Sequence, residues 1–232
     1  MTYDENGNYV CVHCGNSIKR LYKKYSASVL KLCNCAHCGN VGDKYLEYDK
    51  VIVIIDLILF SKEAYRHVLF NLQYKGYMKL AFLQLLILSF DEWFNSKNTV
   101  GFQDSDFYEL RFYTVCFATF IGKLLFLIVI LVGVNTYMQS GLRHTLIQKN
   151  SLAIVKATIC SSFGYFLLLT ILIWDEQREI HLIFIHVYTI LSQIQALTVT
   201  TPVPRFVLGV VCTVANATDQ LFSACLRKTL YV

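Results

Sequence analysis

Cys11-Val-His-Cys14-Gly15-Asn16 and Cys35-Ala-His-Cys38-Gly39-Asn40 are two copies of one phrase, Cys-x-His-Cys-Gly-Asn, with twenty residues between the two Cys-x-x-Cys pairs. Four thiolates close a tetrahedral shell around zinc, and this spacing suits two hairpin knuckles gripping one ion. The glycine after each second cysteine suits a left-handed turn. The spacing therefore predicts one structural zinc ion held by Cys11, Cys14, Cys35 and Cys38. A complete shell of four cysteines leaves no open position for water, which points to structure rather than catalysis. Cys33 reads as a spare thiol beside a complete site, with a role as alternative ligand left open. His13 and His37 read as solvent-facing turn residues.

Around this head the chain is unusually apolar. Of its 232 residues 55% are hydrophobic and 16% charged, with a mean hydropathy of +0.46. That load suits an integral membrane protein. It is uneven: residues 1–50 hold seven Lys and Arg, and apolar runs dominate from Val51 onward. A small polar module buries little core, so a metal staple makes physical sense there. The start, Met-Thr-Tyr-Asp-Glu-Asn-Gly, is polar and acidic, so the first targeting signal is expected to be an internal hydrophobic segment. Five of the nine cysteines fall between Cys11 and Cys38. Paired Cys-x-x-Cys motifs in a reducing compartment indicate metal rather than disulfides. Cys116, Cys160, Cys212 and Cys225 read as small buried hydrophobes.

The stretch Val51–Phe60 (VIVIIDLILF) is apolar except for Asp56, and the following KEAYRHVLFN favours helix. If 49–71 forms one helix, Asp49, Asp56, Glu63 and His67 fall within about 40° of one another at about 100° per residue. Such an acidic stripe suits an amphipathic helix lying in the membrane interface. A core helix whose charges reach solvent is the plainer alternative. Asp56, Glu63 and His67, with Asp49 and Arg66, are the candidate lipid or partner contacts. Asp56 carries most weight, because a carboxylate in an apolar run is costly unless it is paired or faces water. Its pairing with Arg66 or Lys62 is the competing reading.

Four later stretches are expected to span: Tyr77–Phe94, Phe112–Tyr137 with Lys123 inside it, Ala157–Trp174 and Ile180–Thr201, the last ended by Pro202 and Pro204. Phe206–Leu226 is polar in its second half and reads as interfacial or re-entrant. Asp91–Glu109 carries five acids against Lys97, and Asp175–Glu179 three against Arg178. Gln139–Asn150 carries Arg143 and Lys149 and no acid. The positive-inside rule then puts the N-terminus and the 139–150 loop in the cytosol. Asn216-Ala-Thr218 is a glycosylation sequon in form only. The expected organisation is a zinc ribbon over residues 1–50, an amphipathic interfacial helix over 51–75 and a transmembrane region over 76–232. The fold class is mainly α, a bundle of about four transmembrane helices behind a small β ribbon.

CVHCG…KLCNCAHCG followed by DKYLEYDKVIVIIDLILFSKEAYRHVLFN (Asp43–Asn71) closely resembles the Arv homology domain, from about Tyr9 to Asn71. Cys33 falls where family members often have a Thr or another residue. The resemblance implies a multi-pass endoplasmic-reticulum membrane protein of lipid homeostasis. It implies sterol transport, sphingolipid balance and handling of glycosylphosphatidylinositol (GPI) precursors. The implied partners are membrane lipids (sterol, sphingolipid and GPI precursor) and enzymes of GPI biosynthesis. The alternative is a scaffold or regulatory subunit of a lipid-modifying glycosyltransferase that moves no lipid itself.

The residues themselves offer no constellation for an enzyme. G-x-S-x-G, H-E-x-x-H, P-loop and G-x-G-x-x-G patterns are absent from the sequence, and the expected function is not catalytic. Nucleic-acid binding is not expected of a ribbon tethered to membrane helices.

Overall fold

The computed structural model describes residues 9–24, 30–72, 74–100, 108–140, 151–173 and 178–230. The chain divides into two compact units, Met1–Gly76 and Tyr77–Val232. The loop charges Asp104, Asp106, Arg143, Lys149, Asp175 and Glu176 lie outside the described residues.

In the first unit β1 (Tyr9–Val10) pairs antiparallel with β2 (Ser17–Ile18), and β3 (Tyr22–Lys24) with β4 (Leu30–Leu32). The repeated phrase folds the same way twice. Gly15 N–H donates to the Cys11 carbonyl and Gly39 N–H to the Cys35 carbonyl, each at 2.9 Å. Cys11 N–H donates to the Asn16 carbonyl and Cys35 N–H to the Asn40 carbonyl, each at 2.8 Å. Gly15 and Gly39 carry φ of 84° and 74°, a region that strains any residue with a Cβ. The two turns are stitched together by Val12 N–H to the Gly42 carbonyl, Gly42 N–H to the Cys33 carbonyl and Cys33 N–H to the Leu21 carbonyl. Tyr9, Val12, Leu21, Tyr45, Ala64 and Tyr65 form the buried interior of this unit.

The single helix expected over 49–71 is instead two. α1 spans Lys50–Ile58 and α2 spans Lys62–Arg66, which runs on into a π turn over His67–Asn71. Between them Phe60 adopts φ 58°. Phe60 N–H donates to the Leu57 carbonyl and Ser61 N–H to the Asp56 carbonyl. That pair of bonds is a Schellman ending, with a phenylalanine in the left-handed position where glycine is usual. The break redirects the chain, so the charges spaced along 49–71 do not form one continuous stripe. α1 buries Val53 alone. Val51, Ile52, Ile54, Ile55, Ile58 and Leu59 are exposed. Its aliphatic side faces outward, while Asp56 is turned toward the ribbon.

The second unit is helical: α3 (Tyr77–Val100), α4 (Tyr108–Ser140), α5 (Ser151–Ser161), a 3-10 segment (Ser162–Leu167), α6 (Leu168–Ile173), α7 (Arg178–Thr200) and α8 (Arg205–Leu230). Four stretches among the described residues are long and apolar enough to cross a membrane: Leu110–Gln139, Ser151–Ile171, Arg178–Thr200 and Arg205–Cys225. Membership of the set differs from the sequence expectation in two places. Tyr77–Phe94 lies in a continuous helix but is not among the four. Phe206–Leu226, expected to be interfacial or re-entrant, is one unbroken helix that qualifies. The polar residues that made this segment read as interfacial have partners in the bundle. Asp219, which made this segment read as too polar, accepts a hydrogen bond from Lys123 of α4 at 2.6 Å, and Asn216 donates to Gln193 of α7 at 2.9 Å.

α4 and α8 pack antiparallel, with Gly122 against Asp219 and Gly133 against Val211. Phe126, Ile130 and Val134 of α4 and Leu208, Cys212 and Ala215 of α8 are buried at helical spacing. Ile87, Tyr165, Leu168, Ile171 and Ile185 join α3, the 3-10 segment, α6 and α7 in one apolar cluster. Arg178 donates to Asp91 at 2.7 Å, tying the start of α7 to α3. α7 ends at Thr200, ahead of Pro202 and Pro204, because the residue before a proline is pushed out of the helical region.

Candidate metal centre

The two knuckles point their cysteines at a common centre. The Sγ atoms of Cys11, Cys14, Cys35 and Cys38 all lie within 4.8 Å of one another. Cys11 Sγ is 3.8 Å from Cys38 Sγ, and Cys14 Sγ is 3.7 Å from Cys35 Sγ. A tetrahedral ion with bonds of about 2.3 Å to sulfur needs edges of about 3.8 Å. Two of the edges already match, the rest lie within 4.8 Å, and these four cysteines can bind a metal. Cys33 lies outside the group.

The sulfurs sit in unlike electrostatic surroundings. Burial pushes the Cys11 thiol up to about 12. Cys35 is pulled down to about 6, chiefly by the backbone N–H groups of Cys38 and then His37, which point at its sulfur. The knuckle thus presents amide dipoles to a thiolate. A divalent cation would offset the cost of burying the remaining negative charge.

The helical segment clamps onto this centre through side chains of α2 and the π turn. Arg66 Nη1 donates to the carbonyls of Val12 and His13, both at 2.8 Å, inside the first knuckle. Its guanidinium lies over Gly15, where a Cβ would come within 3.2 Å of Nη2. His67 Nδ1 lies 2.7 Å from Asp43 Oδ2. Asn71 Nδ2 donates to the same oxygen at 2.7 Å and to the Val10 carbonyl at 2.9 Å, while Asn71 Oδ1 accepts from Val10 N–H at 2.9 Å. Asp43 Oδ1 accepts from Tyr45 N–H. Asp43, His67 and Asn71 are essentially sealed from solvent. The π turn makes this possible by bringing His67 and Asn71 inward together.

Each residue expected from sequence has a definite place. Asp56 pairs with neither Arg66 nor Lys62; it accepts from Tyr45 Oη at 2.7 Å. Burial first, and then this bond, push the Tyr45 hydroxyl's pKa well above its ordinary value. Glu63 lies 3.0 Å from His13 Nδ1 and 2.5 Å from Lys44 Nζ. Burial works against the Glu63 carboxylate, but Lys44 and His13 outweigh it and leave its pKa lowered. Asp49 is exposed at the head of α1 and makes no capping bond through its side chain. His13 is turned toward Glu63, and His37 is exposed. Asp56, Glu63, Arg66 and His67 therefore all engage the ribbon. Sequence reasoning missed Asp43, Tyr45 and Asn71. The available signal was local: polar His67 and Asn71 one helical turn apart in an apolar run.

Together, the membrane-length helices and the cysteine-clamped head define a multi-pass membrane protein with an N-terminal module whose four cysteines can hold a metal ion. A family profile described as Arv1-like family matches residues 10–197. Protein ARV1 of Homo sapiens is 32% identical over 204 residues, covering 85% of this chain and 74% of the human protein. Protein ARV 1 of Arabidopsis thaliana is 26% identical over 230 residues, covering 96% and 90%. Protein ARV1 of Candida albicans is 44% identical over 64 residues, covering 27% and 22%. No solved structure matches the chain. The chain belongs to the Arv family, and this membership supports a general role in lipid and sterol homeostasis.

Proposed function

We propose that this chain mediates sterol transport and lipid homeostasis in the endoplasmic-reticulum membrane, with its N-terminus in the cytosol. Sphingolipid balance and the handling of GPI-anchor precursors belong to the same reading. Cys11, Cys14, Cys35 and Cys38 hold one structural zinc ion, which fixes the ribbon against α2. The ribbon in turn presents α1 to lipid.

One observation carries the reading: α1 wears its aliphatic side outward. Six large aliphatics between Val51 and Leu59 are 42–68% exposed. An exposed contiguous apolar patch in a protein that also has membrane-length helices is best covered by the interfacial layer of the bilayer. In this reading Asp56, Glu63, Arg66 and His67 contribute by holding α1 and α2 on the ribbon, and Asp49 marks the polar end of the contact.

The test is transfer of a fluorescent sterol between liposomes containing the purified protein and acceptor liposomes. Faster transfer than in protein-free liposomes is expected, and slower transfer for Ile55→Ser/Ile58→Ser at unchanged zinc content. The same format with a GPI precursor tests that branch. Transfer at the protein-free rate for each lipid would overturn the transport reading in favour of a scaffold.

A further inference from the structure

The span between Ser151 and Ile173 is broken in its middle. α5 ends at Ser161, a 3-10 segment runs over Ser162–Leu167, and α6 resumes at Leu168. The chain stays helical through it, and a 3-10 stretch in mid-helix often marks a functional position or strain. Gly164, within this break, faces α7. A Cβ there would sit 2.6 Å from Thr189 Oγ1.

Beside the break, two polar atoms have no hydrogen-bond partner among the described residues. Thr189 Oγ1 and Gln193 Nε2 are buried and unsatisfied, and both residues are fully excluded from solvent. They lie one turn apart on α7, facing the same side. The orientation of the Gln193 amide is fixed by its neighbours. Asn216 Nδ2 donates to the Cys212 carbonyl at 2.8 Å, so this end of Asn216 must be its nitrogen. The same nitrogen donates to Gln193 Oε1 at 2.9 Å, so Gln193 must present its oxygen there and leave Nε2 as an unmet donor. A buried donor without an acceptor is costly, more so in a membrane bundle. The neighbouring Ser161 and Ser162 hydroxyls, by contrast, are satisfied by the Thr158 carbonyl.

We infer that the broken span, Thr189 and Gln193 form a binding site for the hydroxyl group of an uncharged lipid. An oxygen that accepts from Gln193 Nε2 and exchanges a hydrogen bond with Thr189 Oγ1 satisfies both orphaned atoms at once. Thr189, Gln193, Asn216 and residues 161–167 include no Asp, Glu, Lys or Arg, and Lys123, whose Nζ lies 3.4 Å from Tyr165 Oη, is already paired with Asp219, which favours an uncharged headgroup over a phosphate. Thr189 stands eleven residues from each end of α7, Arg178–Thr200, so the site lies near mid-depth. A resting lipid keeps its hydroxyl at the membrane surface, so a lipid seated here is between leaflets. The inference rests on the lipid-handling reading and adds to it a place and a headgroup chemistry.

The experiment uses the full-length protein in liposomes with two photoreactive, clickable probes, a cholesterol analogue and a diacylglycerol analogue. Crosslinked peptides are mapped by mass spectrometry. Labelling of the 161–167 segment or of α7 near Thr189 by either probe is expected, and the preferred probe distinguishes a sterol from a glycerolipid. Thr189→Val/Gln193→Leu should lower that labelling about tenfold, the effect of roughly one hydrogen bond. Thr189→Ser, which keeps the hydroxyl, should retain it. Thr189→Val alone should leave the melting temperature unchanged or raise it, since it removes an unmet polar atom. Labelling unchanged in the double variant overturns the site. So does a fall in melting temperature for Thr189→Val with labelling intact, because that identifies a water-filled structural pocket. Loss of sterol transfer with labelling preserved would count against the transport reading and leave this site standing. Loss of labelling elsewhere in the protein along with it would show a failed fold; Thr189→Ser then decides, and its failure to label also overturns the site.

Discussion

The two units hold themselves together by different means. In the first, residues far apart in sequence meet through specific polar atoms: four sulfurs at one centre, and one Asp43 carboxylate receiving Asn71, His67 and Tyr45. In the second, most side-chain hydroxyls bond the carbonyls of their own helix, as Thr158 does with Ile154 and Thr198 with Ile194. Helix joins helix there mainly by close packing, with a few polar links such as Lys123–Asp219 and Arg178–Asp91. Bonds that need one atom type at one point tolerate little substitution, whereas apolar packing accepts many residues of suitable volume. The head therefore writes its fold into motifs, and the bundle writes its fold into hydropathy.

The largest effect should come from breaking the head at its centre. Serine in place of Cys11, Cys14, Cys35 or Cys38 removes a thiolate ligand and should abolish stoichiometric metal binding, measured by elemental analysis of the purified protein. Apparent binding energies of about 10–16 kcal/mol for structural zinc in small modules mean that the ribbon should unfold with the loss. Cys33→Ser should keep its metal. Full metal content in Cys11→Ser or Cys38→Ser would remove the four-cysteine centre from the comparison.

A second break tests whether polar specificity extends beyond the metal. His67→Ala or Asn71→Leu leaves the buried Asp43 carboxylate short of a partner. Removing one partner of a buried charge costs about 3–5 kcal/mol. Proteolysis within the first unit should accelerate accordingly, while detergent stability of the helical bundle stays near wild type. Equal sensitivity in both units would erase the distinction.

This contrast also explains what could be read from the chain. The knuckles were legible because their ligands sit at fixed local spacing and their glycines mark the turns. Pro202 and Pro204 marked the end of α7. Asp43 and Asn71 were not legible as partners, since 28 residues separate them and nothing local couples them. The break at Phe60 was hidden because phenylalanine carries no turn signal; its left-handed conformation follows from the Schellman bonds around it. α8 read as interfacial because of Asn216, Asp219 and Gln220, and the partner of Asp219, Lys123, lies 96 residues away on another helix. Length and hydropathy alone let Arg205–Cys225 qualify; what no local pattern could show is that its one acid is paired.

That pair supplies a sharper test inside the bundle. Lys123 Nζ also lies 4.6 Å from the Tyr165 ring centroid. Lys123→Met alone, or Asp219→Leu alone, leaves a charge stranded and should lower stability by about 2–4 kcal/mol. The double variant Lys123→Met/Asp219→Leu should recover most of the loss, because both charges leave together. Thermal unfolding in detergent reads all three. Additive losses would mean that the ion pair contributes nothing as a pair.

The smallest effect concerns the half-exposed link Lys44–Glu63–His13 on the head. Glu63 is held below its ordinary value of 4.5 against the opposing effect of burial. A carboxylate whose folded pKa is lowered stabilises the fold above its unfolded pKa, and the contribution disappears as pH falls through the folded value. The side chain is 27% exposed and Lys44 is 41% exposed, so solvent screening limits the link to about 0.5 kcal/mol. Glu63→Gln should therefore melt slightly below wild type at neutral pH, and the gap should close as pH falls below 4.5. Metal loss in acid lowers both proteins alike, so the difference between them is the quantity to follow. A gap that stays constant from neutral to acidic pH would show that Glu63 acts through its shape and packing. The charge would then be incidental, and the polar specificity of the head would stop at its buried atoms.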